Sequence, residues 1–326
     1  MLVFIEFLRA IATLLILNSH LKGVYPTDFL SFGGGLGLAL FYMLSGYLIS
    51  NINENTKFVK WYFKKLLRLY VPLFLFRGFL VVVGYIKITS IMDFVRNFIF
   101  PTYWFVASMV IFYAIYYLFV KFIYRKFGKK AIIGTWIFCG LSFTVLYATQ
   151  SPVGLFSLEN LEFMEVFSLE TPYIISQFIW FSAMLVGLYV KEFLVMLEEP
   201  EKKNYLNLIN AILCVLLFLA VRIFELVDID LEFLLSISYV GFAYFLFRFF
   251  IGLENLLKGI QKKIYFKPIK IISMCSLEIF YVQFIWISLF KSIVFPLNIL
   301  LLVAGTVFTG FILHKISNKV LSIKKQ

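Results

Sequence analysis

Ten long apolar runs constrain this chain more than any other feature of its sequence. A helix that crosses a bilayer needs roughly 20 predominantly apolar residues. The sequence contains stretches of about this length that are delimited by Pro, Gly or charged residues. The runs cover residues 2–21, 33–50, 70–86, 101–120, 131–149, 172–190, 205–225, 232–251, 271–290 and 297–314. Charged residues make up 15% of the chain, whereas about a quarter of an ordinary soluble domain is charged. We therefore predict an all-α, polytopic integral membrane protein with about ten transmembrane helices, forming a single domain over residues 1–326 without an appended soluble domain.

The basic residues indicate how these spans are oriented. The chain has 30 Lys and Arg against 18 Asp and Glu, a net charge of +12. With the N-terminus on the cytoplasmic side, 22 of the 30 cations fall in cytoplasmic loops or the C-terminal tail and four in outer loops. Cytoplasmic loops carry an excess of Lys and Arg, so we expect both termini in the cytoplasm and no nucleic-acid partner. The cysteines Cys139, Cys214 and Cys275 lie in apolar runs without CxxC spacing, so we expect neither a disulfide framework nor a metal site.

The first run carries a stripe of polar residues. Glu6, Arg9, Thr13, Ile16 and His20 are spaced by 3, 4, 3 and 4 residues, which puts them on one face of a helix. A charged side chain at mid-bilayer costs about 2.5–3.5 kcal/mol on insertion scales, so this face predicts a cavity lined by protein. A structural interpretation stays open, in which Glu6 and Arg9 form a buried ion pair that fixes packing and His20 is an interfacial polar residue.

Histidine is the usual general base near neutral pH, and the chain has two. His314 lies beside Lys315 at the predicted inner end of the last run, where an interfacial role is expected. His20 is therefore the candidate base. Four further residues are candidates for contacting a substrate: Tyr103, Trp104, Glu278 and Gln283. Membership of an aromatic belt or helix pairing would explain these four equally well.

Glycines and cations follow the first run. Gly33 and Gly37 form a GxxxG pair, a spacing that allows close helix approach. The next polar segment, KFVKWYFKKLLRLYVP, contains the cations Lys57, Lys60, Lys64, Lys65 and Arg68. An interfacial amphipathic helix would explain this composition. The competing interpretation is a patch that binds the phosphates of an anionic carrier, such as a nucleotide-linked thioester.

The order of these features resembles the membrane-bound acyltransferase family 3. Three segments are similar to the start of that family: FLRAIATLLILNSH, GLGLALFYMLSGYLIS and FVKWYFKKLLRLYVP. The family pattern is an Arg and a His eleven residues apart, a Gly-rich span that ends in Leu-Ser-Gly-aromatic, and a basic loop with Arg-x-x-Arg. Trp104-Phe105 is similar to a Trp-Phe of the family, and Phe181 and Gly187 match more weakly.

The chain departs from the family pattern at two positions. Lys65 stands where the Arg-x-x-Arg element has its first Arg, which keeps the charge but loses the bidentate fork. Gln283 ends a late stretch that often ends in His in the family, and an amide cannot act as a base.

The resemblance implies an enzyme that moves an acyl group, usually acetyl, from cytoplasmic acyl-CoA to a hydroxyl of a cell-surface glycan, such as O-antigen, capsule or exopolysaccharide. It implies a place in the bacterial cytoplasmic membrane, with acetyl-CoA as a donor substrate and no tightly bound cofactor. His20 would act as the base or accept the acyl group transiently, and Arg9, held by Glu6, would support it. Lys64, Lys65 and Arg68 would hold the phosphates of the donor.

Two other classes of protein also need intramembrane charges. A transporter or lipid-linked glycan flippase predicts alternating-access repeats and broken helices in matching halves, and the sequence has no internal repeat. A glycan polymerase predicts larger outer loops with cations. The longest outer loop here, residues 150–171, contains four Glu and no cation.

Overall fold

The computed structural model of the chain describes residues 2–99, 104–149, 171–194, 204–225 and 232–323, and the regular structure there is entirely helical. The α-helices are α1 (Val3–Ser19), α2 (Gly34–Ile49), α3 (Phe58–Val82), α4 (Ile91–Phe94), α5 (Trp104–Leu118), α6 (Arg125–Phe127), α7 (Lys129–Thr149), α8 (Thr171–Tyr189), α9 (Asn204–Glu225), α10 (Glu232–Gly252), α11 (Glu254–Ile260), α12 (Phe266–Met274), α13 (Ser276–Phe290) and α14 (Leu297–Ile323). A π-helical turn follows each of α4, α5 and α8. The all-α prediction is confirmed for the described residues.

Several of these helices are long and apolar enough to cross a membrane. Within the described residues they are the six helical segments Asp28–Ile49, Phe105–Phe127, Lys129–Tyr147, Asn204–Phe224, Phe233–Gly252 and Leu297–Ser322. The pair formed by α12 and α13 is a seventh candidate. Of the remaining predicted runs, 2–21 and 172–190 correspond to α1 and α8, and 70–86 overlaps the second half of α3. The chain is thus a multi-pass membrane protein, while the count of ten and the cytoplasmic termini stay predictions.

The predicted run 271–290 contains a break. Helices α12 and α13 are bent by 87° at Cys275, where φ is −97° and ψ is 14°, outside the α-helical region. Both sides of the break are apolar, so a count of apolar residues does not detect it.

The basic segment after the second run is part of a helix. α3 begins at Phe58 and continues through Pro72 to Val82, although proline removes one intrahelical hydrogen bond. The predicted run began only at residue 70, so the helix is longer than predicted and includes the cations from Lys60 to Arg68, while their role as phosphate ligands stays a prediction.

Packing divides the chain into two compact units. The first comprises Met1–Ser50 and Ile179–Val307, and the second comprises Asn51–Phe178 and Phe308–Gln326. The polar stripe of α1 therefore belongs to the first unit and the basic segment of α3 to the second. The prediction of a single domain stays a prediction.

Glycines set the closest helix contacts in the first unit. A Cβ on Gly37 would approach the carbonyl oxygen of Ala12 on α1 to 2.8 Å, a close helix approach at this member of the GxxxG pair, whereas Gly33 precedes α2 with a left-handed φ of 98°. Gly46 of α2 lies against the backbone of Met184, and Gly187 of α8 lies against the backbone of Met43. A side chain at either glycine would overlap main chain that has little room to move.

Candidate functional site

The polar stripe on α1 faces the interior of the first unit. Glu6, Thr13 and Ile16 are buried, and Arg9 and His20 are half-buried. α1 packs against α2, α10, α11, α12 and α13. Leu8 and Ala12, which lie outside the stripe, are also buried, so neighbouring helices cover more of α1 than the stripe alone.

A carboxylate from α11 caps the start of α1. The backbone N–H groups of Val3 and Phe4 donate to Glu254 Oε1 at 3.2 Å and Oε2 at 2.8 Å. The Nζ atom of Lys258 lies 3.8 Å from Glu254 Oε1. A negative charge at a helix N-terminus satisfies orphan donors and complements the helix dipole, so Glu254 fixes the end of α1 that precedes Glu6 and Arg9.

Glu6 is buried, with 3% of its surface exposed, and its Oε2 has no hydrogen-bond partner within the described chain. Lys270 of α12 and Arg9 both attract this carboxylate, and the hydroxyl of Thr13 donates to the backbone oxygen of Arg9 at 2.8 Å. The sequence anticipated Arg9 as the cation next to Glu6. It did not anticipate Lys270, because nothing in the sequence relates α12 to α1. A buried carboxylate oxygen without a hydrogen bond lowers the stability of the folded protein. A polar group kept at such a cost is typical of residues in functional sites.

His20 lies directly after α1, and its backbone N–H donates to the oxygen of Leu17 at 3.1 Å. Its imidazole meets the ring of Phe284 edge-on at a centroid distance of 4.9 Å, and the ring of Phe280 at 6.5 Å. Both phenylalanines belong to α13. The candidate base is therefore held against an apolar patch of the helix that carries the two late polar candidates.

Those two candidates, Glu278 and Gln283, are both buried. The side chain of Gln283 has no exposed surface, and neither its Nε2 nor its Oε1 has a hydrogen-bond partner within the described residues. Phe284 is its neighbour in sequence and contacts His20. The structure thus brings the helix of Gln283 to His20, a proximity that the sequence did not show.

The segment after His20 is tied to the end of α1 by Asn18. Its Nδ2 donates to the oxygens of Leu30 at 2.8 Å and Phe32 at 3.0 Å, and its Oδ1 accepts from the hydroxyl of Tyr25 at 2.6 Å. The hydroxyl of Ser31 donates to the backbone oxygen of Asn18 at 3.2 Å. Nothing in the sequence singles out Asn18, because its partners are mostly backbone groups of an irregular loop.

In the second unit, the three predicted phosphate ligands occupy different environments on α3. Lys64 and Arg68 are exposed and Lys65 is half-buried. The Nζ atom of Lys65 lies 5.6 Å from the ring centroid of Trp61. Burial, with repulsion from Arg68 and Lys64, lowers the pKa of Lys65 to about 8.

A pocket of about 420 Å³ lies at the start of α3. It is lined by Asn55, Thr56, Lys57, Lys60, Trp61 and Lys64. Of the predicted phosphate ligands, Lys64 is among the lining residues. Lys57 and Lys60 belong to the basic segment that the sequence offered as a phosphate-binding patch, although the family resemblance does not assign them.

The loop before α3 contains Thr56, which lines this pocket. Residues of α5 and of the helical turns after it hold this loop in place. The oxygen of Thr56 accepts hydrogen bonds from the hydroxyl of Tyr117 and from Lys121 Nζ, the latter at 3.2 Å. Arg125 Nη2 donates to the oxygen of Ile52 at 2.9 Å, and Arg125 Nη1 lies 3.5 Å from Glu54 Oε1. Both Lys121 and Arg125 are among the 22 cations assigned to the cytoplasmic side, and nothing in the sequence indicates their contacts with this loop.

The other candidates are less informative. Tyr103 lies outside the described residues, and Trp104 is the first residue of α5. His314 is buried in the second unit, and its Nε2 lies 2.8 Å from Nδ2 of Asn318. The interfacial role expected of His314 stays a prediction.

Comparison with known proteins identifies the class to which this fold and these residues belong. The family model described as an acyltransferase domain, that of acyltransferase family 3, matches residues 2–313. The chain therefore belongs to this family of membrane acyltransferases, as the resemblance of its first three segments predicted. Among curated proteins and solved structures, none matches the chain significantly.

Proposed function

We propose that this protein is an O-acyltransferase, most specifically an O-acetyltransferase, that transfers an acyl group from acyl-CoA to a hydroxyl of a cell-surface glycan. One observation supports the proposal above all: the acyltransferase match spans residues 2–313 and so includes the Arg9 and His20 of the buried stripe. The acceptor class, O-antigen, capsule or exopolysaccharide, follows from the resemblance to the family. The donor is consumed as a substrate, and no tightly bound cofactor takes part.

His20 is proposed as the base. It removes the proton of the acceptor hydroxyl while that oxygen attacks the thioester carbonyl, and the coenzyme A thiolate then leaves with its bonding electrons. A positioned base of this kind contributes about 10²–10⁴-fold to the rate. The contacts of the His20 ring with Phe280 and Phe284 support the assignment, since they hold the imidazole in one orientation.

Arg9 is proposed to stabilise the negative charge that develops on the thioester oxygen, and Glu6 to orient Arg9. Glu6 is attracted by Lys270 of α12 and less strongly by Arg9, and the attraction to Arg9 is consistent with this pairing. Lys64, Lys65 and Arg68 are proposed to bind donor phosphates. Tyr103, Trp104, Glu278 and Gln283 are proposed to contact the acceptor, and the unbonded amide of Gln283 is the feature that supports its inclusion.

The setting of the reaction is also a proposal. Ten spans with both termini in the cytoplasm would put the basic segment of α3 on the side that supplies acyl-CoA. The 22 cations assigned to that side support this orientation, and it corresponds to a bacterial cytoplasmic membrane.

The test is transfer of radiolabelled acetyl from acetyl-CoA to glycan in membranes that contain the chain at matched amounts. His20→Ala and Arg9→Ala should each reduce transfer by at least about 100-fold, and Arg9→Lys should fall in between because lysine keeps the charge without the fork. His314→Gln is the matched control and should retain activity. Near-normal transfer by both alanine variants would refute the assignment, and glycan movement across the membrane without label would favour a flippase.

A further inference from the structure

Residues 253–265 of the first unit connect two segments that each qualify to cross a membrane. The segment before them is Phe233–Gly252, and the segment after them is the bent pair Phe266–Met274 and Ser276–Phe290. The ends of membrane-crossing segments lie at a membrane surface, so this connection lies there in either orientation of the chain. We call residues 253–270 the basic elbow, which comprises α11, the turns after it and the first turns of α12.

The basic elbow has a strong excess of positive charge. The sequence from Asn255 to Leu277 contains no Asp or Glu, and five lysines lie within it. Its one carboxylate, Glu254, is already engaged by the backbone of α1 and lies 3.8 Å from Lys258. The five lysines are all exposed: Lys258, Lys262, Lys263, Lys267 and Lys270.

Three of these lysines are available to an anionic partner. Lys262, Lys263 and Lys267 form no ion pair with any residue that the structure describes. They fall within six residues of one another, so one small surface carries three positive charges. A surface of this kind attracts phosphate groups that lie close together.

Apolar side chains are exposed among the lysines. Ile264 is 76% exposed, Leu256 63% and Tyr265 58%, whereas Leu257 and Phe266 are buried. Apolar side chains that alternate with lysines in this way are typical of a segment that dips into the headgroup region of a bilayer. The aliphatic part of a lysine also lies favourably along apolar surface while its ammonium group stays at the phosphates.

We propose that the basic elbow binds anionic phospholipids of the surrounding membrane. Lys262, Lys263 and Lys267 contact the lipid phosphates, and Ile264 and Tyr265 lie among the upper parts of the acyl chains. Two observations select this partner: the elbow lies between two membrane-crossing segments, and its cations are combined with exposed apolar side chains. A phosphate dissolved in water would account for the cations alone. The proposal goes beyond acyl transfer and does not depend on it.

Lipid binding at the elbow would act on the start of α1. Glu254 accepts hydrogen bonds from the first backbone N–H groups of that helix. Phe266 packs against Phe7, with ring centroids 5.5 Å apart, and Lys270 attracts the buried Glu6. An elbow fixed by lipid therefore also fixes the end of α1 that carries Glu6.

The experiment titrates short-chain phosphatidylglycerol into the full-length chain in neutral detergent and follows hydrogen exchange of residues 253–265. Exchange is measured segment by segment, so lipid bound elsewhere does not contribute. A lysine near an anionic lipid surface contributes about 5-fold in affinity, so Lys262→Gln with Lys263→Gln should weaken binding about 30-fold. The matched control, Lys126→Gln with Lys130→Gln, removes two exposed lysines of the second unit and should leave binding unchanged.

Melting temperatures in nanodiscs give a second readout. The wild type and the control variant should melt higher in phosphatidylglycerol than in phosphatidylcholine, because a ligand of the folded state stabilises it. The elbow variant should melt alike in the two lipids, and in phosphatidylcholine it should melt like the wild type. Ile264→Ser should weaken the binding of phosphatidylglycerol, since it removes an apolar contact and keeps every charge.

Three results would overturn the proposal. The first is unchanged affinity in the elbow variant. The second is an equal loss in the control variant, since net charge alone would then attract the lipid. The third is displacement of the lipid by inorganic phosphate at constant ionic strength, together with unchanged binding by Ile264→Ser, since the elbow would then bind a soluble anion. If the double variant does not fold, Lys262→Gln alone decides, with an expected loss of about 5-fold. None of these measurements requires turnover, so a failure of the proposed acyl transfer would leave the result on lipid binding intact.

Discussion

Replacing Asn18 by Ala should loosen the loop after His20. The amide of Asn18 makes three hydrogen bonds to that loop, with the oxygens of Leu30 and Phe32 and the hydroxyl of Tyr25. Alanine removes all three hydrogen bonds, so the oxygens of Leu30 and Phe32 and the hydroxyl of Tyr25 lose Asn18 as a partner. Because His20 lies between Asn18 and this loop in the sequence, we expect both stability and turnover to fall.

The expected loss of folding stability follows from the exposure of the three hydrogen bonds. A protein hydrogen bond contributes about 0.5–1.5 kcal/mol net, and the bond to Leu30 is exposed whereas the other two are partly buried. Counting the two partly buried bonds gives about 1–3 kcal/mol for Asn18→Ala. Tyr25→Phe removes one bond and should cost about 0.5–1.5 kcal/mol. Asn18→Asp keeps the acceptor for Tyr25 but replaces two donors with a carboxylate facing carbonyl oxygens, so it should be no better than alanine.

The assays are the melting temperature of the detergent-purified protein and hydrogen exchange of residues 21–33. Melting temperatures should fall in the order wild type, Tyr25→Phe, Asn18→Ala, and loop exchange should rise in the same order. If Asn18→Ala melts and exchanges like the wild type, the amide does not anchor the loop. If Tyr25→Phe is as damaging as Asn18→Ala, the two bonds to backbone oxygens contribute nothing and the reasoning from their geometry is wrong.

Three other perturbations test separate parts of the structure. Gly46→Ala and Gly187→Ala should each prevent accumulation of the protein, because the added Cβ would overlap backbone atoms. Gly134→Ala is the control and should accumulate normally, since no atom lies within 4 Å of its added Cβ. Equal amounts of the three variants would contradict the close helix contact. Glu254→Gln should destabilise the protein by about 0.3–1 kcal/mol through the start of α1, and an unchanged melting temperature would show that the carboxylate charge is not needed there. Because the pKa of Lys65 is lowered to about 8, its positive charge is lost as pH rises from about 7 to 9, and KM for acyl-CoA should rise over that interval. Lys65→Arg should abolish this rise in KM. If the rise persists in Lys65→Arg, a group other than Lys65 causes it.

The helices were largely predictable because their signal is compositional. The predicted runs 205–225 and 232–251 differ from α9 (Asn204–Glu225) and α10 (Glu232–Gly252) by one residue at an end. The bend at Cys275 was not predictable in this way. The bend is a change of backbone dihedral angles between two apolar stretches. A count of apolar residues contains no information on the direction of the helix axis.

The sequence relates candidate residues to one another where they share one helix. The spacing of Glu6, Arg9 and His20 predicted that they share one face of α1, since helical periodicity carries that information, and the role of these residues stays a prediction. Lys270 and Phe284 could not be found, because their proximity to the stripe depends on how α12 and α13 pack on α1. A tertiary contact of this kind leaves no periodic pattern in a single sequence.

The basic segment shows how a helix boundary affects the arrangement of side chains. The predicted run began at residue 70, and Lys64, Lys65 and Arg68 were chosen by likeness to a family motif. In the structure the segment forms the first turns of a helix that begins at Phe58, with a period of 3.6 residues. That period puts Lys60 or Trp61, and Lys64, on one face together with the preceding Lys57, and these residues line the pocket. The earlier helix start therefore gives these cations a common direction that the boundary at residue 70 did not show, while the assignment of Lys64, Lys65 and Arg68 stays a prediction.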